Sequence, residues 1–100
     1  MLKDIVAVKP LEGYKLYLKF EDDKEGVVDV SQLIQFSGVF TPLEELSYFT
    51  QVKLHPELGT IVWPNDADLD PDVLYGIITG QDIYEYEGIM AIQNQKSRLN

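Results

Sequence analysis

The sequence predicts an α+β domain, an antiparallel, meander-like sheet of about five strands with two or three short helices, and three stretches carry that expectation. Residues 14–20 alternate, with Tyr14, Leu16, Leu18 and Phe20 on one side and Lys15, Tyr17 and Lys19 on the other, the period of a half-buried strand. Residues 51–55 and 60–63 flank Pro56-Glu57-Leu58-Gly59, which reads as a hairpin turn with proline and glycine where a type I turn and its bulge accept them. Asp70 then precedes Pro71, a side-chain cap followed by a first helical residue.

Taken in order, Ile5-Val6-Ala7-Val8 is a β-branched run closed by Pro10 and predicts a strand covered on both faces. Leu11-Glu12-Gly13 is a turn. After the alternating strand, residues 21–26 form a polar loop and Val27 to Val30 return as the second arm of a hairpin. Asp29 with Gln32, or Ser31 alone, can cap a turn or two of helix carrying Leu33 and Ile34, which Ser37-Gly38 stops. Thr41, Pro42 and Glu44 have the spacing of a capping box, predicting a short helix from about Pro42 to Tyr48 with Leu43, Leu46 and either the neighbours of Leu43 or Phe49 inward. In the second hairpin Val52 and Leu54 take the buried side, Lys53 and His55 the wet side. The helix from Pro71 has Asp72 in its first turn and Leu74, Ile77 and Ile78 inward until Gly80 ends it. Ile83, Tyr84, Tyr86, Ile89, Met90 and Ile92 are too apolar for a free tail, yet neither period wins. Residues 1–80 are therefore expected as one domain, and 81–100 as a C-terminal extension, strand or helix, packing on the domain or on another copy, frayed from Asn94.

One hundred residues, 45% apolar and 25% charged, leave room for a single core. The absence of cysteine excludes disulfides, thiolate metal sites and cysteine nucleophiles. The stretch after Met1 is too short and charged for a signal peptide, and no apolar run approaches the roughly 20 residues that span a bilayer, so a cytoplasmic protein without membrane contact is expected. Seventeen acidic against eight basic side chains give a formal charge of −9, which repels phosphate backbones and suits a basic partner or a cation. Direct nucleic-acid binding is not expected.

Val8-Lys9-Pro10-Leu11, Tyr14-Lys15-Leu16 with Phe20 and Asp29-Val30, Gly38-Val39-Phe40 before Pro42-Leu43, and above all Gly59-Thr60-Ile61-Val62-Trp63-Pro64-Asn65 with Ala67-Asp68-Leu69 and Pro71-Asp72-Leu74-Tyr75 form a recurring order. In these residues the chain resembles the bacterial family called domain of unknown function 2442, over about residues 3 to 76. The resemblance implies a small cytosolic α+β protein, found alone, fused to a helix-turn-helix domain, or encoded beside another small protein in a toxin–antitoxin-like pairing. It carries over no catalytic residue. Residues 81–100 lie beyond the matched stretch, and no helix rich in Arg or Lys is present to read DNA.

Several sharper chemistries fail on spacing. Asp66, Asp68, Asp70 and Asp72 open like an EF-hand loop, but its sixth and twelfth positions hold Pro71 and Ile77 where glycine and a bidentate glutamate are required. Asp70 and Asp72 have ordinary work at a helix start, and Asp66 suits a turn by bonding its own backbone. His55, the one histidine, has no serine near it in sequence and reads as a surface residue. Trp63 is read as a core plug whose indole N–H finds a carbonyl, against the alternative of a recognition aromatic. No glycine-rich phosphate cradle is present. No catalytic residue, metal or cofactor is therefore assigned, and the candidate interaction surface is Trp63, Asn65, Asp66, Asp68 and Tyr75. The leading expectation is a non-catalytic protein-interaction module, the antitoxin-like partner of a neighbouring small protein, with self-association through strand edges or residues 83–92. The alternatives are a small ligand- or metal-binding protein or enzyme using the loop 64–72, with a concave pocket near Trp63 where His55 or two carboxylates converge, and a regulator acting on DNA only through a helix-turn-helix partner.

Overall fold

The structure, a computed structural model, describes residues 3–87. Its α+β chain runs β1 (Ile5–Pro10), β2 (Lys15–Phe20), β3 (Glu25–Asp29), two 3-10 segments (Val30–Gln32 and Gly38–Glu44), α1 (Leu46–Phe49), β4 (Lys53–Leu54), β5 (Ile61–Val62) and α2 (Pro71–Glu87). The five strands do not join into one ladder: β1, β2 and β3 form an antiparallel sheet in sequence order, and β4 and β5 form a separate antiparallel pair. The pairing of Leu16 with Val28 and of Leu18 with Gly26 fixes the β2–β3 register, so Gly26 belongs to β3 and the connecting loop closes at Lys24. The second hairpin abuts the free edge of β1, where the Ile5 N–H donates to the Gly59 carbonyl at 2.9 Å. Close by, the pairing of β1 with β2 shifts register between Ile5 and Ala7.

Alternation on β2 does what its period requires: Leu16, Leu18 and Phe20 are fully buried. β1 differs from expectation. Only Ile5 is buried and Val6 is 47% exposed, because no second layer covers the outer face of this strand. Gly59 sits at φ 67° in the β4–β5 turn, as its place there predicts, and a Cβ would also run into the Asp4 carboxylate.

The stretch between the hairpins departs most. Thr41 caps nothing. Pro42 lies inside the 3-10 segment, the backbone turns extended at Glu45, and only four residues of α-helix come after it. On one continuous helix Leu43, Leu46 and Phe49 would form a single stripe about 120° wide with Leu46 at its centre. The break instead leaves Leu43 and Phe49 fully buried and Leu46 47% exposed. The Tyr14 hydroxyl, donating to the Glu44 carbonyl, ties the interruption to the sheet.

α2 packs against β3 through Leu74 and Ile78, four residues apart and both buried. Tyr75 meets Phe20 edge to face at 5.1 Å. The helix does not end at Gly80. A helix stops at glycine when glycine turns left-handed, and Gly80 keeps a negative φ, so the ladder continues to Glu87. The remainder of the expectation for 81–100, from residue 88 on, lies outside the described residues.

Candidate functional site

The corner from Trp63 to Asp72 is built almost wholly from local hydrogen bonds. The Trp63 N–H donates to the Ala67 carbonyl and the Asp66 N–H to the Trp63 carbonyl, each at 2.9 Å, which closes a tight loop over Pro64-Asn65-Asp66. Asp66 takes the left-handed turn at φ 70°, a conformation that aspartate tolerates better than most residues. The side-chain turn expected of Asp66 falls instead to Asn65, whose Oδ1 accepts from the Ala67 N–H at 3.2 Å. Val62 and Asp68 form an isolated antiparallel bridge, and the Thr60 hydroxyl donates to the Leu69 carbonyl at 2.6 Å. Asp70 accepts the Asp72 N–H at 2.9 Å and caps α2 as its sequence predicts.

Beneath this loop Trp63 is 1% exposed, and its indole N–H donates to the Phe49 carbonyl at 2.9 Å. It is a core plug. Asn65 works outward: its Nδ2 donates to the Val39 carbonyl at 2.9 Å and clamps the 3-10 segment Gly38–Glu44 against the corner. Between the two lies an open hollow of about 310 Å³. Leu33, Ile34 and Phe40 make one wall, and Leu69, Val73 and Leu74 make the other, with Asp68 and Asp70.

Of the five residues singled out in the sequence, Asp68 alone lines this hollow. Asn65 braces it, Asp66 is exposed at the loop tip, and Trp63 is buried in the core. Tyr75 points elsewhere, donating its hydroxyl to Asp22 Oδ2 at 2.7 Å on the β2–β3 turn. That donated bond holds the Asp22 carboxyl below its ordinary value, while the acceptor, with partial burial, holds the Tyr75 phenol above its own. His55 does not line the hollow; its Nδ1 accepts the N–H groups of Glu57 and Leu58, each at 3.1 Å, and stabilises the β4–β5 turn. The apolar wall from Leu33 to Phe40 was missed by sequence reasoning. Its signal is an apolar excess, Leu33, Ile34, Phe36, Val39 and Phe40, in a stretch with neither strand nor helix period to bury it.

Among the described residues no group of three or more His, Asp or Glu side chains stands where it could hold a metal ion. No helix among them is long and apolar enough to cross a membrane. The sequence profile of the family described as "Protein of unknown function (DUF2442)" matches residues 5–80, most of the chain. The chain belongs to the DUF2442 family. No curated protein and no solved structure matches it. The DUF2442 match takes in both hairpins, the corner and every residue lining the hollow, and it stops within α2.

Proposed function

We propose that this chain is a non-catalytic protein-interaction module of the cytoplasm, the antitoxin-like partner of a small protein encoded beside it. The observation that carries this reading is the hollow between the Leu33–Phe40 wall and α2. Its rim leaves Leu33 36% and Val73 54% exposed, apolar surface that burial against a partner would remove from water at about 25 cal/mol per Å². Coexpression with the product of the adjacent gene, followed by purification through a tag on either protein, tests it. A stoichiometric complex that survives size exclusion is expected; two separately eluting proteins would overturn the reading.

A second reading is supported by the same hollow, which falls at the lower end of the roughly 300–1,000 Å³ typical of ligand pockets. It makes the chain a binder of a small organic cation, an amine with an apolar body, at Asp68 and Asp70. Thermal-shift screening against alkyl and aryl amines separates the two, since this reading requires a saturable rise in Tm with no partner protein present.

A further inference from the structure

The charges of this chain are segregated along it. Up to Lys24 acids and bases balance, whereas from Glu25 to Gln95 twelve acidic side chains face one base, Lys53. Both walls of the hollow and the whole corner fall in the second stretch. Asp68 and Asp70 line its α2 side, and Asp66 and Asp72, next to them along the chain, are exposed as well. The N-terminus of α2 opposes them with only about half a positive charge. The α2 side of the rim is therefore anionic beside an apolar floor, with no lysine or arginine in either wall to neutralise it.

We infer that this hollow docks a basic amphipathic helix of a partner protein, which seats aliphatic side chains between Phe40 and Val73 and lays Lys or Arg along Asp66, Asp68 and Asp70. The inference rests on the interaction-module reading and deepens it by naming the surface and the chemistry that fits. Apolar anchors spaced i and i+4 enter a groove while flanking cations meet carboxylates, so affinity comes from the floor, and encounter rate and orientation from the rim. Asn65 is a positioning residue here, because its clamp on the Val39 carbonyl sets the distance between the walls.

The test uses the full isotope-labelled chain and a synthetic helical peptide with leucine on one face and lysine on the other, beside a sister peptide carrying glutamate for lysine. Amide shifts on titration with the lysine peptide are expected at residues 33–40 and 68–74, with the glutamate peptide silent. Val73→Asp, on an exposed first-turn position, should weaken the peptide about tenfold or more, and Leu33→Asp serves if that variant fails to fold. Asp66→Asn with Asp68→Asn should weaken it and flatten its salt dependence, while Leu58→Asp on the remote turn should change nothing. Shifts scattered over the surface, or equal binding of both peptides, overturn the inference. So do shifts at 33–40 and 68–74 that appear on raising the concentration of the chain alone, which would seat a second copy there. A complex with the adjacent protein that survives Val73→Asp removes this inference and leaves the interaction module standing; peptide seated in the hollow with no such complex keeps the docking surface and removes the adjacent protein as its partner.

Discussion

Trp63 decides how the corner is held, because its indole N–H donates to the Phe49 carbonyl at 2.9 Å, a carbonyl that also accepts the Val52 N–H at the longer distance of 3.3 Å. Phe49, which supplies that carbonyl, packs its own ring 5.7 Å from the indole. Trp63→Phe removes the donor and part of the ring, and should cost about 2–3 kcal/mol in urea unfolding. Tyr75 and Asp22 make a different kind of contact, one whose strength varies with pH. Asp22 is held below its ordinary 3.8, first by the Tyr75 hydroxyl and then by the Lys24 N–H and the charge of Lys3, against partial burial. Its contribution is present above the unfolded value and is lost as pH falls through the folded one. Tyr75 is held above its ordinary 10.0 by the Asp22 acceptor, so its contribution is present below that value and disappears as pH rises through the folded one. Tyr75→Phe should therefore lower stability by a constant amount from about pH 5 to about pH 9 and converge with the parent protein in acid below 3.8 and in alkali above 10.0. Unfolding free energies measured across pH check this; a gap that persists at both extremes would assign the loss to packing. Tyr17, raised in the same direction by its bond to Glu25, adds an alkaline loss common to both proteins.

At the scale of elements, α2 carries two glycines that do nothing for its geometry. Gly76 and Gly80 keep helical backbone, and a Cβ at either would meet open space. Gly76→Ala and Gly80→Ala should each stabilise the chain by about 0.5–1 kcal/mol, read as a higher urea midpoint with the same slope. A loss at either site would mean the glycine face is packed in solution. The same glycines show how far sequence reasoning reaches. The cap at Asp70, the left-handed Gly59 turn and the alternation of β2 were legible because each depends on neighbours within four residues. The end of α2 was not, since a glycine leaves a helix only where the chain beyond it gains more by turning away than by adding another helical turn. The Pro42 to Tyr48 helix failed for another reason: Thr41, Pro42 and Glu44 satisfy every local rule, and tertiary packing that takes in Leu43 and Phe49 but leaves Leu46 outside overrides them. Of the candidate site, the loop 64–72 was legible as one side of the hollow; the facing wall, Leu33 to Phe40, has no period by which it could be found.

Over the whole molecule, the two ladders and the segregated charge belong to one arrangement. The basic residues of the described chain lie just before and on β1, on β2, in the β2–β3 turn and on β4, while the second 3-10 segment, the corner and α2 carry acids alone. Two exposed carboxylates about 10 Å apart in water repel by roughly 0.4 kcal/mol, and several such pairs around the corner and the start of α2 make a self-repulsion of the order of 1 kcal/mol. Unfolding relieves it by spreading the charges apart. Sodium chloride raised from about 0.02 M to about 0.5 M shortens the screening length from near 20 Å to near 4 Å and should remove most of the penalty. Relief of about 1 kcal/mol in a domain of this size raises Tm by about 4–8 °C, and the rise should level off once screening is complete. Differential scanning calorimetry distinguishes this from a general salting-out effect, which would keep climbing at molar salt. A flat profile would mean that the acidic side chains are already compensated within the fold. A basic partner seated on the corner would relieve the same repulsion at low salt, so the stabilisation gained on complex formation should shrink as salt is added, by about as much as the free chain gains.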